Sequence, residues 1–387
     1  MRANLGRWTL ATTLVAVLVA GSALPAAAAA ASRPNRLQSA ADDLHRLGIT
    51  GVQTLSRTPH GQDAARAGVA DLEKQTPVPA DGYFRMGSNT KTFVAVVTLQ
   101  LAGEGRLSLD DTVEHWLPGV VTGNGNDGGR ITVRNLLQHT SGLYNYTRDI
   151  DVLGTADGYL AHRYDHYDPA GLIAIAVKHE PGFEPGTHWD YSNTNYVLAG
   201  MIIERATGHS WGSEVRSRIL RPLGLRHTVV PGDRATVPDP HAEGYQQWEP
   251  GAGLVDTTIL NPSVADAAGS LITTPSDLAT FWQALQQGRL LKPAQMTQMH
   301  QTVLAETMQD YYPGIRYGLG IMWTPSDCGG FWLHPGDVPG TSTWNAVSTN
   351  GSRVAIVSLT TQLADPTTSA AVETRTGELL NDVICHS

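Results

Sequence analysis

Three shortages narrow what this 387-residue chain can be. Basic side chains are scarce: 27 Lys and Arg stand against 36 Asp and Glu, a formal charge of −9. Basic clusters are absent, and an acidic surface argues against a nucleic-acid partner. Cysteine is nearly missing. The two present, Cys328 and Cys385, both lie near the C-terminus. In an oxidising compartment they can pair, closing a loop that contributes roughly 4 kcal/mol in the chain-entropy model. Two free buried thiols are the alternative. Cys328 sits in a Gly-rich turn, Ser326-Asp327-Cys328-Gly329-Gly330, which speaks against a catalytic thiol. Beyond the N-terminus no segment is long and apolar enough to span a membrane.

The N-terminus is the one long apolar stretch. Arg2 and Arg7 lead into Trp8 to Leu24, which carries no charge, and Leu24-Pro25 opens a run of Ala from 26 to 31. That is the layout of a secretory signal with a small-residue cleavage region. A membrane anchor is the alternative, although the run is at the short limit for a span. Residues 1–31 are therefore expected to be removed. The mature chain, 32–387, is expected to be extracellular, without a stable membrane anchor. Its formal charge falls to about −11, because the signal removes two Arg and no acid.

What remains is ordinary for a globular protein: 41% hydrophobic and 16% charged residues, with 40 Gly and 22 Pro marking many turns. The length suits one large domain or two closely packed lobes. Leu37 to Leu47 reads as an amphipathic helix ended by Gly48. Ile49 to Leu55 and Ala67 to Ala70 read as short strands, and Phe84 to Gly87 as an extended piece running into Ser88. A helix opens at Ser88, with Phe93, Val94, Val97 and Leu101 at helical spacing. Further helices are expected over Val133–Gln138, Leu172–Lys178, Tyr196–Thr207, Trp211–Leu220 and Pro275–Gly288. Alternating segments from Ser342 to Ser348 and Arg353 to Leu359 flank Asn350-Gly351, a hairpin signal. Ser369 to Val383 reads as a closing helix. Both termini should thus build a sheet lobe, about 36–87 and 312–387. A helical lobe should fill about 88–311. No internal repeat is visible.

Three short motifs carry the chemistry. Ser88-Asn89-Thr90-Lys91 sets a nucleophile and a potential base one helical turn apart. A serine hydroxyl is weak until a base takes its proton, and a buried Lys with a depressed pKa can do so near neutral pH. Alone, the pair is better explained by a capping Ser and a solvated Lys. Tyr191-Ser192-Asn193 lies in a turn before a helix, where a phenol can share proton traffic and Asn193 can bond a substrate amide. His334-Pro335-Gly336 precedes a strand. Gly336 lets a substrate approach the backbone, and Asp337 can offer its N–H to an oxyanion beside that of Ser88.

In that order and context the motifs resemble the serine β-lactamase and penicillin-binding protein superfamily. The likeness is greatest to secreted D-alanyl-D-alanine carboxypeptidases related to class C β-lactamases. It extends over about 37–386 and includes Phe84-Arg85-Met86-Gly87, Ile131-Thr132-Val133-Arg134, His139-Thr140-Ser141-Gly142-Leu143-Tyr144 and Tyr317-Gly318-Leu319-Gly320. The placement of Cys328 and Cys385 is also similar. The resemblance implies an α+β fold: an antiparallel five-stranded sheet flanked by terminal helices, beside an all-helical lobe. It implies Ser88 as acylated nucleophile, Lys91 as its partner and Tyr191 as general acid/base. Asn193, His334, Gly336 and Asp337 become substrate-side and proton-network groups. The expected substrates are peptides, amides or esters, with cell-wall D-peptides among them and β-lactams as acylating inhibitors. No metal or organic cofactor is called for, and a monomer is expected. An esterase or D-amino-acid amidase is the next reading, then a β-lactamase.

Two departures bear on substrate. Relatives that cleave D-Ala-D-Ala place a carboxylate-binding Arg where this chain has Met322. Their His-Thr-Gly-Thr is His334-Pro335-Gly336-Asp337 here. A guanidinium and two hydroxyls are lost and a carboxylate is gained, so free carboxylate substrates are expected to bind poorly. Two other patterns are read as structural. Gly208-His209-Ser210-Trp211-Gly212 matches a nucleophile elbow but follows a helix rather than a strand. His162 and His166 are spaced as a metal pair on a helix, yet Pro169 and nearby Asp and Tyr favour a loop.

Overall fold

The computed structural model describes residues 36–386. The expected signal segment, 1–31, lies outside them. The first helix, α1 (Arg36–Arg46), buries Leu37, Ala40, Ala41 and Leu44, one stripe at helical spacing. A hairpin follows, β1 (Gly51–Thr58) and β2 (Gly61–Gly68). Then come the helices α2 (Thr90–Gly103), α3 (Thr194–Thr207) and α4 (Pro275–Gln286). The chain returns through β3 (Val303–Leu304), β4 (Arg316–Tyr317), β5 (Met322–Thr324), β6 (Phe331–Leu333), β7 (Gly336–Val338), β8 (Thr341–Val347) and β9 (Val354–Leu359). It closes with α5 (Pro366–His386).

These strands form one antiparallel sheet in the order β2-β1-β9-β8-β6-β5-β4-β3, with β7 also paired to β8. The N-terminal hairpin therefore docks on the C-terminal one through β1 and β9. α1 and α5 cover one face, and α4 packs on the other. Double coverage explains why Val354-Ala355-Ile356-Val357-Ser358-Leu359 is buried throughout. The sheet has nine strands rather than five, because two- and three-residue edge segments such as β3, β4 and β7 join it. Nor is 88–311 wholly helical: short strand pairs form at Thr122–Gly123 with Asn126–Asp127 and at Tyr245–Gln246 with Val255–Asp256.

Two apolar clusters result. One fills the space between the sheet and the terminal helices; the other surrounds α2. α2 is apolar on all sides (Phe93 to Leu99 is wholly buried), which marks it as the central helix of its core. Cys328 and Cys385 form a disulfide that ties the segment after β5 to the end of α5. The strand Phe84–Arg85 pairs with Ile272–Thr273, and Met86 N–H donates to the Leu271 carbonyl at 3.0 Å. That anchored piece delivers the chain to Ser88 at the head of α2.

Candidate active site

Ser88 lies in the 3-10 turn Gly87–Asn89, two residues before α2 begins. The helix does not start at Ser88 as expected, yet the one-turn spacing survives. Every neighbour in the motif is tied down. Asn89 accepts from the Trp282 indole at 3.3 Å, Thr90 Oγ1 accepts from Leu271 N–H, and Thr92 Oγ1 donates to the Gly320 carbonyl at 2.8 Å. Gly87 has φ +50°, and a Cβ there would sit 2.6 Å from the Asp337 nitrogen. A Cβ on Gly336 would lie 2.1 Å from the Met86 carbonyl oxygen and 2.8 Å from the Ser88 nitrogen. The strand β7 therefore abuts the nucleophile turn, and only glycines permit that approach.

Lys91 is fully buried, and its Nζ makes three contacts: Ser88 Oγ at 3.0 Å, Asn193 Oδ1 at 2.7 Å and the Ala268 carbonyl at 2.7 Å. No carboxylate is among them. Burial holds the amine well below its ordinary 10.5. A neutral amine has two N–H groups and one lone pair. Two of the three partners, a carbonyl and an amide oxygen, can only accept, so in the neutral form the lone pair faces the Ser88 hydroxyl. The orientation of Asn193 follows from its other end: Nδ2 and the backbone N–H both donate to Asn145 Oδ1, at 3.3 and 3.1 Å. α2 and α3, each 14 residues long, both begin at this point. Their positive ends further disfavour an ammonium and favour developing negative charge.

Tyr191 stands over Lys91, with Nζ 4.8 Å from the ring centroid, and its phenol lies close to Ser88. Burial raises the phenol above its ordinary value, and the nearby Ser88 partly offsets that. Ser88, Lys91, Tyr191 and Asn193 thus converge. His334 does not reach the cleft. It is 1% exposed, donates from Nδ1 to the Pro335 carbonyl at 2.8 Å and accepts at Nε2 from the Tyr317 hydroxyl at 2.9 Å. Burial, with Lys91 nearby, holds its pKa at about 3. His334 thus stands behind Tyr191, with the rings 6.4 Å apart, bonded to the Tyr317 hydroxyl rather than lining the cleft. Gly336 and Asp337 lie on β7 beside Ser88.

Met322 also departs from expectation. It is 1% exposed and packs with the terminal-helix cluster, while its neighbour Ile321 packs with the cluster around α2. Side chains alternate along a strand, so position 322 faces away from the nucleophile.

Other residues of the site escaped the sequence reading. Asn145 orients Asn193, and the Ala268 carbonyl holds Lys91. His139 opens the run His139-Thr140-Ser141-Gly142, where nothing in the sequence singles it out. It is fully buried, takes the left-handed backbone (φ +61°) that ends the helix Val133–Gln138, and accepts the Ser192 N–H at Nδ1, 3.2 Å away. Its ring lies 4.3 Å from that of Tyr191. Burial keeps it neutral, and so it fixes the turn that carries Tyr191.

The two rejected patterns are structural. Gly208 (φ +75°) caps α3, and Ser210 Oγ accepts from Ser213 N–H at the start of the next helix. His162 and His166 turn to different carboxylates, Asp165 and Asp233. Among the described residues no group of three or more His, Cys, Asp or Glu is placed to hold a metal ion.

The cleft at Ser88 holds about 530 Å³. Its lining combines apolar side chains, among them Leu153, Trp248 and Leu260, with the polar Gln246, Gln362 and Asp337. Among the described residues Asp337 is the only carboxylate in its lining, and no Lys or Arg lines it.

A family model described as Beta-lactamase matches residues 12–380. The chain belongs to the Beta-lactamase family. It falls within the wider β-lactamase and penicillin-binding protein superfamily, and the α+β fold is the one the sequence implied. Among solved structures it resembles a D-stereospecific amidohydrolase from Streptomyces sp., with 41% identity, TM-score 0.82, and coverage of 91% of this chain and 98% of that one. It also resembles the D-amino acid amidase of Ochrobactrum anthropi SV3, with 26% identity, TM-score 0.77 and coverage of 89% and 97%. Curated relatives include penicillin-binding protein 4* of Bacillus subtilis, 28% identical over 71% of this chain, and esterase EstB of Burkholderia gladioli, 33% identical over 57%. The chain spans 60% and 57% of the lengths of those two relatives.

Proposed function

We propose that this Beta-lactamase family member is a secreted hydrolase of amide and ester bonds on the carbonyl side of D-amino acid residues. Its preferred substrates lack a free carboxylate next to the scissile bond. The observation that carries the substrate half is the cleft lining: one carboxylate, Asp337, and no basic side chain. A terminal carboxylate there meets a like charge and no partner. The D-configuration is supported by the two amide-hydrolysing structural neighbours, and ester cleavage by the esterase relative. The N-terminal basic, apolar and Ala-rich run and the disulfide support secretion.

In the mechanism, Ser88 Oγ attacks the carbonyl carbon while the Lys91 lone pair takes its proton. The Ser88 and Asp337 N–H groups stabilise the oxyanion. Tyr191, close to both Ser88 and Lys91, passes the proton to the leaving nitrogen or oxygen as the C–N or C–O bond breaks. Water then attacks the acyl-serine, giving its proton back through the same groups, and the acid departs. An amine in place of water yields acyl transfer. β-Lactams enter as acylating inhibitors by the first half of this sequence.

The test is kcat/KM on D-phenylalaninamide, its L-enantiomer, a D-phenylalanine ester, a D-Ala-D-Ala peptide and that peptide's C-terminal amide. The D-amide should exceed the L-amide. The peptide amide should exceed the free peptide by at least about tenfold, the equivalent of ~1.4 kcal/mol of like-charge repulsion. Equal rates on free peptide and peptide amide would restore the carboxypeptidase reading.

A further inference from the structure

The cleft does not end at Asp337. A second hollow of about 350 Å³ shares Gln246, Asp337, Gln362 and Leu363 with it and passes over β8 at Ser342 and Trp344. A third, about 390 Å³, shares Met308, Tyr312, Pro335, Trp344 and Glu373 with the second and continues between β5, β6 and α5. The three make a groove that runs from the nucleophile past β7 onto the terminal-helix face of the sheet.

Its lining is of one sign. Among the described residues no Lys or Arg lines any of the three hollows. Asp337 accepts from Gln362 at 3.2 Å and Glu373 accepts from the Tyr312 hydroxyl at 2.9 Å, both neutral donors. Midway, the Tyr312 and Trp344 rings lie 6.1 Å apart at 58°, beside the Glu373 carboxylate. Half-buried aromatic faces next to a carboxylate attract a cation by two independent means, the ring quadrupole and the full charge. An aliphatic stem can lie along Met308 and Pro335 while its charged head reaches Glu373.

We propose that this groove binds the leaving segment of the substrate, or the amine that replaces it in acyl transfer, and selects one carrying a basic side chain. The inference rests on the function proposed above. The apolar side chains of the cleft, Leu153, Trp248 and Leu260, then take the side chain of the acyl residue.

The test fixes the acyl group as D-phenylalanyl and varies the leaving amine: lysinamide, norleucinamide and the amide of glutamic acid. Each kcat/KM is divided by the same enzyme's value on D-phenylalaninamide. The expected order is Lys over norleucine over Glu, with Lys exceeding Glu about tenfold or more at low ionic strength and less at 1 M salt. Glu373→Gln and Tyr312→Ala should each shrink the Lys-to-Glu ratio at least threefold. Equal normalised rates for the three amines, or an unchanged ratio in both variants, overturn the inference and leave the parent function standing. No turnover of D-phenylalaninamide or of any of the three amides overturns both.

Discussion

Lys91→Arg loses about 10²- to 10⁴-fold in kcat/KM on any acyl substrate, the scale of a removed general base. The reason is proton accounting. Asn193 Oδ1 and the Ala268 carbonyl occupy both N–H groups of a neutral amine and leave its lone pair at Ser88, 3.0 Å away. Arg keeps the positive charge available to Lys but has no lone pair to offer, because it does not deprotonate in proteins. Steady-state kinetics with a thermal melt on the same sample checks this. A folded Arg variant that kept a tenth of the wild-type rate would show that Lys91 acts only as a charge.

The second large effect is on stability. Burial lowers the Lys91 pKa well below 10.5 in the folded protein. Between that lowered value and 10.5 the unfolded chain binds one more proton at this residue than the folded one. The free energy of unfolding therefore rises with pH across the window, by about 1.4 kcal/mol per unit. The contribution is complete above 10.5 and is lost as pH falls. His139 and His334, also buried and held below 6.5, add the same sign of slope on the acid side. Urea unfolding at a series of pH values should give a steep curve for wild type and a flatter one for Lys91→Met above pH 6.5. Parallel curves would mean that the amine is charged in the native state.

The sequence was most legible where chemistry and local structure coincide. The helix Val133–Gln138 matches its expected bounds, since Thr132 and Asn135 form a capping box. The hairpin at the N-terminus was under-read. β2 is Gly-Gln-Asp-Ala-Ala-Arg-Ala-Gly, an exposed edge strand without β-branched or aromatic residues, so propensity is silent there. Ser88, Lys91, Tyr191 and Asn193 were found because a nucleophile, a base and an acid are recognisable as residue types. Asn145 and the Ala268 carbonyl were not, because one acts through another side chain and the other through its backbone. Met322 and His334 show the limit of motif position. A residue can occupy the expected place in the chain and still face the wrong side of a strand, or stand one layer behind the cleft.

The central claim is that Ser88 carries the acyl group during turnover. The direct measurement is acid quenching during steady-state hydrolysis of a D-phenylalanine ester, followed by proteolysis and mass spectrometry. The account predicts one phenylalanyl adduct, on the peptide containing Ser88, and neither adduct nor turnover in Ser88→Ala. An adduct on another peptide, or turnover by Ser88→Ala at the wild-type rate, would contradict it.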